Sequence, residues 1–335
     1  MKRLRKSIRL FLISMLIMGS TGCSNIKKTH SEVKNQSASS HYPITITTYN
    51  HLKEPIEITF NKEPERVVSI YQNSIETLLA LGLEDKIVLG AGLDHSIKDE
   101  YKDKFKKIKY INDYVPDIED ILNENPDFIL SWYSIFDEDR IGNVNYWNEK
   151  GINTYISLNS GITKKRAVEN EITDIINLGK IFNVEEKAEK IVKEINNEIE
   201  NTLKDINHTK EETTLIIEYM GKDIYTYGKE SLGGDMVTRL GGKLLESENN
   251  TITEEELIEL NPDSIFVVYM DRMDTNVPSQ EANKILKSHK LKELDAVKNN
   301  RVNTIALGEM YCSGIRTIDG IKTFAKGLYP KKIHN

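Results

Sequence analysis

Cysteine is scarce in this sequence, whose 335 residues include only Cys23 and Cys312. Cys23 ends a processing segment described below, so Cys312 is left without a disulfide partner and the stability of the fold must come from a buried core. Basic charge is limited too, because 45 Lys and Arg against 52 Asp and Glu give a net charge of −7. The charge is spread along the chain without a basic stripe, and nucleic acid is therefore not expected as a partner.

Several catalytic motifs are also missing. Neither the G-x-S-x-G motif of hydrolases nor the lysine motif of P-loop proteins occurs. The stretch "GAGLDHS" follows a predicted strand, but His95 stands where a dinucleotide-binding motif has its third glycine. The seven histidines are scattered, which disfavours a site for free zinc or manganese. We therefore expect no enzymatic activity, no intrinsic cofactor and no metal held by the protein.

Long apolar runs are absent, and the longest one near the N-terminus, Leu10 to Met18, is about half of the roughly 20 residues that span a membrane. Five basic residues precede it and small residues follow it up to Cys23, which is the layout of a signal peptide. The stretch "STGC" resembles a bacterial lipobox, with Ser20 in place of the usual leucine. This resemblance implies acylation of Cys23 and a lipid-anchored location on the extracytoplasmic face of the membrane.

The rest of the chain alternates between strand and helix patterns. Residues 24–42 are polar and rich in Ser, Asn and Lys, which predicts a flexible tether, and two β-branched segments after it predict a β-hairpin. Strand patterns such as "RVVSIY" and "PDFILSWY" then alternate with helical ones, which favours parallel sheets covered by helices. We expect an N-terminal α/β lobe at 43–162 including the hairpin, one connecting helix at 163–207 and a C-terminal α/β lobe at 208–335.

One segment is written twice, as "EDILNENPDFIL" from Glu119 and as "EELIELNPDSIF" from Glu255, at an offset of 136 residues. Together with this repeat, six stretches resemble the substrate-binding proteins that deliver iron-siderophore, haem and cobalamin ligands to ABC importers. The stretches are "PERVVSIYQNSIETLLALGLEDKIVLGAG", "DIEDILNENPDFILSW", "WNEKGINTYI", "NPDSIFVVY", "LDAVKNNRVNTI" and "GIRTIDGIKTFAKGLYP".

The resemblance implies a class III periplasmic-binding-protein fold, in which two Rossmann-like lobes joined by a long helix clamp a ligand. It also implies that Glu119 and Glu255, one on each lobe, dock on the dimeric permease of an ABC importer with its ATPase. A two-fold partner would suit one acidic residue per lobe. The alternative is that both are ordinary first-turn acids that favour a helix N-terminus.

Ligand contacts are expected beyond the carboxyl ends of the strands. Aromatic residues stand at these positions and could form a collar around a bulky ligand, although each could equally close the core. The resemblance adds two tyrosines of "DIYTYGKES", and two arginines would suit a carboxylate- or catecholate-bearing chelate. The predicted ligand residues are Tyr71, Trp132, Tyr133, Tyr219, Tyr225, Tyr227, Tyr269, Arg272, Tyr311 and Arg316.

The expected ligand is a metal chelate, with a ferric siderophore ranked before haem or a corrinoid. The expected protein is a monomer that is tethered to the membrane and delivers this chelate to the permease. A lipoprotein of the same fold that binds an oxyanion such as molybdate, or that acts as a sensor or adhesin, remains the alternative.

Overall fold

The computed structural model describes residues 41–204, 212–270 and 276–330. Two predicted functional residues, Cys23 and Arg272, lie outside these ranges, as does the predicted signal peptide. Within the three ranges, no helix combines the length and the apolar character that crossing a membrane requires.

The chain begins its described part with the predicted hairpin, which is confirmed. Strands β1 (Ile44–Tyr49) and β2 (Pro55–Phe60) pair antiparallel. Asn50 forms the turn, where its side-chain oxygen accepts the backbone N–H of Leu52 at 2.9 Å and of Glu54 at 3.0 Å. An Asn side chain that bonds to backbone two residues on is a typical turn former.

The last two residues of the predicted tether are packed rather than free. The Tyr42 hydroxyl donates to the carbonyl oxygen of Ile181 at 2.7 Å, and His41 Nε2 lies 2.7 Å from the carbonyl oxygen of Lys180. These two residues are therefore anchored, because their side chains complete the open carbonyl groups at the end of a helix. The rest of the predicted tether lies outside the described residues.

The N-terminal lobe is built on a four-stranded parallel sheet. Its strands are β3 (Val67–Ile70), β4 (Ile87–Ala91), β5 (Phe128–Ser131) and β6 (Asn153–Ile156), and its helices are α1 (Gln72–Ala80), α2 (Lys102–Phe105), α3 (Ile118–Asn123) and α4 (Val144–Glu149). The strand order is β4-β3-β5-β6. Both β3 and β5 are buried along their whole length, as strands covered by helices on both faces must be.

The segment "KKIKYI", Lys106–Ile111, also has a strand pattern in the sequence, but the prediction of a strand there is wrong. The segment meets β4 only through a bridge between Gly90 and Tyr110. The amide groups of its first residues instead close the end of α2, since Lys106 N–H donates to the carbonyl of Lys102. Too few residues are left to form a ladder.

The connecting segment forms two helices and not the one predicted. Helix α5 covers Val168–Ile181 and α6 covers Glu185–Lys204. Asn183 between them has φ 51°, a left-handed conformation that ends a helix. The two helices approach closely at Gly179, where an added Cβ would lie 2.5 Å from the Cβ of Ala188.

The C-terminal lobe is built on a six-stranded sheet. Its strands are β7 (Thr213–Met220), β8 (Asp223–Thr226), β9 (Lys243–Leu244), β10 (Thr251–Ile252), β11 (Ser264–Tyr269) and β12 (Val302–Ala306), and its helices are α7 (Leu232–Arg239), α8 (Glu254–Leu260), α9 (Val277–Leu286), α10 (Asp295–Lys298), α11 (Leu307–Met310) and α12 (Thr317–Leu328).

This second sheet is mixed, whereas the sequence predicts a parallel one. Strands β9, β7, β11 and β12 are parallel, but β8 returns antiparallel beside β7 and carries β10 on its outer edge. The return is possible because Gly221 adopts φ 67° in a tight turn. The short alternating stretch "DIYT" after this glycine is the signal for β8 that sequence reasoning missed.

The repeated segment has the same structure in both lobes. Helices α3 and α8 are each followed by an Asn with positive φ, which is 46° at Asn125, two residues after α3, and 37° at Asn261, directly after α8. The Asp that follows the proline then accepts from the start of the neighbouring strand, Asp127 from the N–H of Arg66 at 2.8 Å and Asp263 from the N–H of Thr213 at 2.9 Å. "Asn-Pro-Asp" is therefore a joint that ends a helix and anchors the next strand to its neighbour in the sheet.

One hydrophobic core continues from lobe to lobe. It includes Leu78 of α1, Leu178 of α5, Met236 of α7 and Phe324 of α12, all of them buried. The outer faces of the two sheets are covered by separate clusters. The carboxyl ends of the strands in both lobes are thereby held around α5.

Candidate functional site

Three of the predicted aromatic residues meet at the carboxyl ends of the strands. The ring of Tyr71, after β3, stacks on the ring of Trp132, after β5, with 4.1 Å between centroids. The ring of Tyr311 from the C-terminal lobe lies 5.6 Å from the ring of Trp132. The indole N–H of Trp132 donates to Asn73 Oδ1 at 2.5 Å, which fixes its orientation. We call Tyr71, Trp132 and Tyr311 the aromatic wall.

The backbone at Tyr71 is strained. Its φ of 81° and ψ of 153° form a combination that residues with a side chain rarely adopt. A hydrogen bond from its N–H to the carbonyl of Ala91, 2.9 Å long, holds it there. Conformations of this kind cost on the order of 1–3 kcal/mol and are concentrated at functional sites.

Arg166 extends the wall, although sequence reasoning did not select it. Its guanidinium carbon lies 4.3 Å from the centroid of the Tyr311 ring, and one of its Nη atoms donates to the Tyr311 hydroxyl at 2.8 Å. Its Nε donates to the carbonyl oxygen of Asn159 at 2.8 Å. Within the described ranges no partner is found for the remaining Nη, which is available to a ligand.

A sequence signal for Arg166 exists. The stretch "KKRA" places three basic residues, Lys164, Lys165 and Arg166, directly before the N-terminus of α5. Cations are unfavourable at this end of a helix dipole, so the cluster needs another reason. Lys165 pairs with Asp235 at 2.7 Å, and Lys164 and Arg166 face the cavity described next.

An open cavity of about 550 Å³ lies beside Arg166 and Tyr311. Tyr225 and Tyr227, which the resemblance predicts to approach the ligand, line it. The Tyr227 hydroxyl donates to Glu218, and burial together with this carboxylate raises the pKa of Tyr227 well above its usual range. The phenol therefore stays protonated at neutral pH.

Three other aromatic residues that were predicted to bind the ligand make contacts away from the aromatic wall, namely Tyr133, Tyr269 and Tyr219. The hydroxyl of Tyr133 donates to the carbonyl of His51 in the hairpin at 2.7 Å. The ring of Tyr269 lies edge-on to the ring of His95, 6.3 Å away.

Tyr219 belongs to the outer face of the second sheet, with Lys284 of α9 5.1 Å from its ring centroid. Burial, followed by Glu254 and Glu281, raises its pKa to about 12. Alternation along β7 turns this side chain away from the cavity, which strand-end position alone did not reveal.

Arg316 was predicted to meet an anionic ligand, but its guanidinium is already bound within the protein. Its Nε and one Nη donate to the two carboxylate oxygens of Glu76 in α1, at 2.5 and 2.8 Å. The same Nη donates to the carbonyl oxygen of Ser96 at 2.7 Å. Both side chains are buried, so this is a bidentate ion pair between the lobes and not a free cation.

Further contacts between the lobes surround this ion pair. Glu171 of α5 accepts the N–H groups of Ser313 at 3.0 Å and Gly314 at 2.7 Å, and burial raises its pKa. Lys98 pairs with Asp319 of α12 at 2.7 Å. The side of the cleft next to α12 is thus closed by direct contacts, whereas Tyr311 of the aromatic wall lines the open cavity and Tyr71 is buried against Trp132.

The two acids predicted to dock are exposed, in the first turn of α3 for Glu119 and of α8 for Glu255. Glu255 lies 3.4 Å from Lys290, and a hydrogen bond from its own backbone together with this ammonium lowers its pKa. Lys290 also pairs with Glu254 at 3.1 Å. Glu119 has no ion pair with any residue in the described part of the chain.

Metal-ligating side chains do not converge in the part of the chain that the structure describes, where no group of three or more His, Cys, Asp or Glu could hold an ion. Cys312 is buried, and burial raises the pKa of its thiol well above the usual range. Its sulfur lies 3.5 Å from Asn73 Nδ2, which is a packing contact between the lobes.

A family model described as "Periplasmic binding protein" matches residues 67–306. The chain belongs to the periplasmic binding protein family. The match begins at the first residue of β3 and ends at the last residue of β12, so it covers both sheets and the segment between them. The two-lobed fold and the family predicted from the sequence are confirmed.

Relatives within this family agree with the assignment. The chain is 25% identical over 315 residues to the uncharacterized ABC transporter substrate-binding lipoprotein YvrC of Bacillus subtilis, covering 92% of both chains. It is 25% identical over 263 residues to the petrobactin-binding protein YclQ of the same organism, covering 76% of this chain and 78% of that one. A crystal structure of a periplasmic binding protein from Veillonella parvula superposes with a TM-score of 0.81 at 32% identity, covering 86% of this chain and 92% of that one.

The ion pair between Glu76 and Arg316 leads to a prediction about how this periplasmic binding protein is held together. Glu76→Leu or Arg316→Met alone should lower the free energy of unfolding by about 3–5 kcal/mol, because the partner's charge is left buried without compensation. The double variant should lose less than the sum of the two. Urea unfolding of the four proteins measures the coupling.

The exposed pair of Lys106 with Asp103, 2.7 Å apart, is the control, and Asp103→Ala should leave the free energy of unfolding close to that of wild type. Losses that add up fully in the Glu76→Leu/Arg316→Met double variant would show that the two side chains do not act as a pair.

Proposed function

We propose that this chain is a lipid-anchored solute-binding protein that captures a metal chelate between its lobes and delivers it to an ABC import permease. The observation that carries the proposal is the aromatic wall, to which both lobes contribute, next to the open nitrogen of Arg166 and a cavity of about 550 Å³. Cavities of about 300–1,000 Å³ are typical of small-molecule sites.

A ferric siderophore is the first choice of ligand. Its aromatic or conjugated chelating groups can pack against Tyr225, Tyr227 and Tyr311 in the cavity, and its negative charge can bind Arg166 and Lys164. The petrobactin-binding relative supports this choice. Haem or a corrinoid could use the same flat ring faces and ranks second.

Tryptophan fluorescence offers a direct test, because the sequence contains only Trp132 and Trp147. Trp147 is fully buried and its N–H donates to the carbonyl of Ile141, so it should not respond to a ligand. We expect ferric siderophores to quench the fluorescence of Trp132 saturably. Trp132→Phe should abolish the quenching.

Arg166→Gln should weaken siderophore binding about 10- to 100-fold, which corresponds to the roughly 1.5–3 kcal/mol of a hydrogen bond to a charged group. Arg140→Gln removes an exposed arginine elsewhere and is the matched control. Visible absorption of the bound chelate gives a second readout. The ligand panel contains siderophores, haem, cobinamide and molybdate. The absence of a saturable response to any chelate contradicts the proposal. A response to molybdate alone favours an oxyanion carrier.

Docking on the permease is proposed through Glu119 and Glu255. Both helices begin at the carboxyl edge of their sheets. The chain reaches α3 after the bridge between Tyr110 and Gly90, which lies near the end of β4. It reaches α8 directly after β10. The two acids therefore lie on the rim that carries the ligand site. One carboxylate per lobe matches a permease with two equivalent basic sites.

Glu119→Ala combined with Glu255→Ala should leave siderophore affinity within about two-fold of wild type and abolish stimulation of the permease ATPase, since rim charges govern association. The measurement is ATP hydrolysis by the permease in proteoliposomes. Asp103→Ala with Glu293→Ala removes one exposed acid from each lobe and is the matched control. Loss of ligand affinity in the Glu variant would place these acids at the wrong surface.

The lipid anchor is proposed at Cys23. Mass spectrometry of protein extracted from membranes should find Cys23 as the first residue, carrying acyl chains. Cys23→Ala should release the protein from the membrane, because the acyl chains provide its affinity for the bilayer. An unmodified Cys23 in the membrane fraction would contradict the anchor.

A further inference from the structure

We infer that each docking helix also presents an aliphatic side chain, Leu122 on α3 and Ile258 on α8, that inserts into an apolar hollow on one of two equivalent permease subunits. This inference rests on the proposed docking function. It adds a hydrophobic contact to each acidic one, so that each lobe offers the same pair of an acid and an aliphatic residue.

The repeat in the sequence extends to which side chains are exposed. Residues 118–123 and 254–259 are related by the offset of 136 and have the same burial order, in which positions two, three, five and six are exposed and position four is buried. The buried position is Ile121 in one helix and Leu257 in the other, both with no exposed surface. The aliphatic side chain at position four is therefore taken up by the core in both helices.

The aliphatic residue at position five is exposed in both lobes. Leu122 is 36% exposed and Ile258 is 41% exposed. Single exposed aliphatic residues are common on protein surfaces and need no explanation. Of the large hydrophobic residues exposed in the described part of the chain, however, only these two are related by the offset of 136.

Each aliphatic residue lies on the same helix face as the docking acid. Leu122 follows Glu119 by three residues and Ile258 follows Glu255 by three, and side chains three apart are neighbours on a helix. A partner that binds the carboxylate therefore also reaches the aliphatic group. Each contact is small, and the two together form a divided surface that only a partner with two equivalent sites can cover.

Charge decides which partner fits. A second copy of this chain in an isologous contact would bring like-charged Glu side chains toward each other, which is unfavourable. An anionic membrane surface would repel the same acids. A protein with a basic residue beside an apolar hollow, present once on each of two related subunits, satisfies both features of the helix face.

The test is an assay of binding between the ligand-loaded protein and its permease in nanodiscs. Binding is measured at about 0.1 M and about 0.5 M salt, because salt screens exposed charges and leaves apolar contacts in place. Leu122→Ser and Ile258→Ser should each weaken the complex several-fold, and the double variant about 10-fold or more at both salt concentrations. Glu119→Ala with Glu255→Ala should instead lose its effect as salt rises.

Leu52→Ser with Leu286→Ser is the matched control, because these leucines are 64% and 43% exposed and lie on the hairpin turn and at the end of α9. It should bind the permease like wild type. Siderophore affinity and the midpoint of thermal unfolding should stay at wild-type values in Leu122→Ser, Ile258→Ser and the variant that combines them. Loss of docking is then separated from loss of folding.

The outcomes separate the inference from the proposed function. Wild-type affinity of the Leu122→Ser/Ile258→Ser variant, with the Glu variant still defective, overturns the inference and leaves docking through the acids intact. No complex between the wild-type protein and the permease overturns docking itself. A wild-type dimer in sedimentation that the Ser variants convert to a monomer would assign the face to a second copy and overturn the inference.

Discussion

A buried ion pair between Glu76 and Arg316 joins the two lobes, and the geometry of the aromatic wall depends on it. Glu76 lies in α1, whose first turn follows Tyr71, and Arg316 follows Tyr311 by five residues. Because the two charges meet bidentately, α1 and the segment before α12 keep a defined separation. That separation brings the ring of Tyr311 within 5.6 Å of Trp132. The aromatic wall thus depends on a contact that itself binds no ligand.

The same ion pair affects how the protein responds to its ligand. Glu171 and Lys98 add contacts on the same side of the cleft, so the lobes are joined there by several charged hydrogen bonds. Opening the cleft on this side would break these charge-assisted hydrogen bonds together, which is unfavourable. We therefore expect the aromatic residues near the cavity to adjust to a ligand with little rotation of the lobes, since the charged side of the cleft remains closed.

Each copy of the Asn-Pro-Asp segment combines contacts that anchor the sheet with an exposed acidic residue on the preceding helix. The asparagine ends a helix, the aspartate anchors a strand, and the exposed acid of the same helix lies near the carboxyl edge of its sheet. Each lobe has all three properties, and this repetition gives both lobes an equivalent surface. A surface of this kind suits a partner with two-fold symmetry.

Sequence patterns determined the elements whose cause is local. The hairpin, the buried strands β3, β5, β7 and β11 and the two lobes follow from alternation, apolar runs and turn residues, which act over a few residues. The family followed from the resemblance of six stretches of the sequence. Tertiary structure decided the rest. Tyr71 and Trp132 join Tyr311, whereas Tyr133 packs under the hairpin, Tyr219 covers α9 and Arg316 pairs with Glu76. A strand-end position shows only that a side chain is near the cleft, because its direction and its partner depend on residues that are far away in the sequence and close in space.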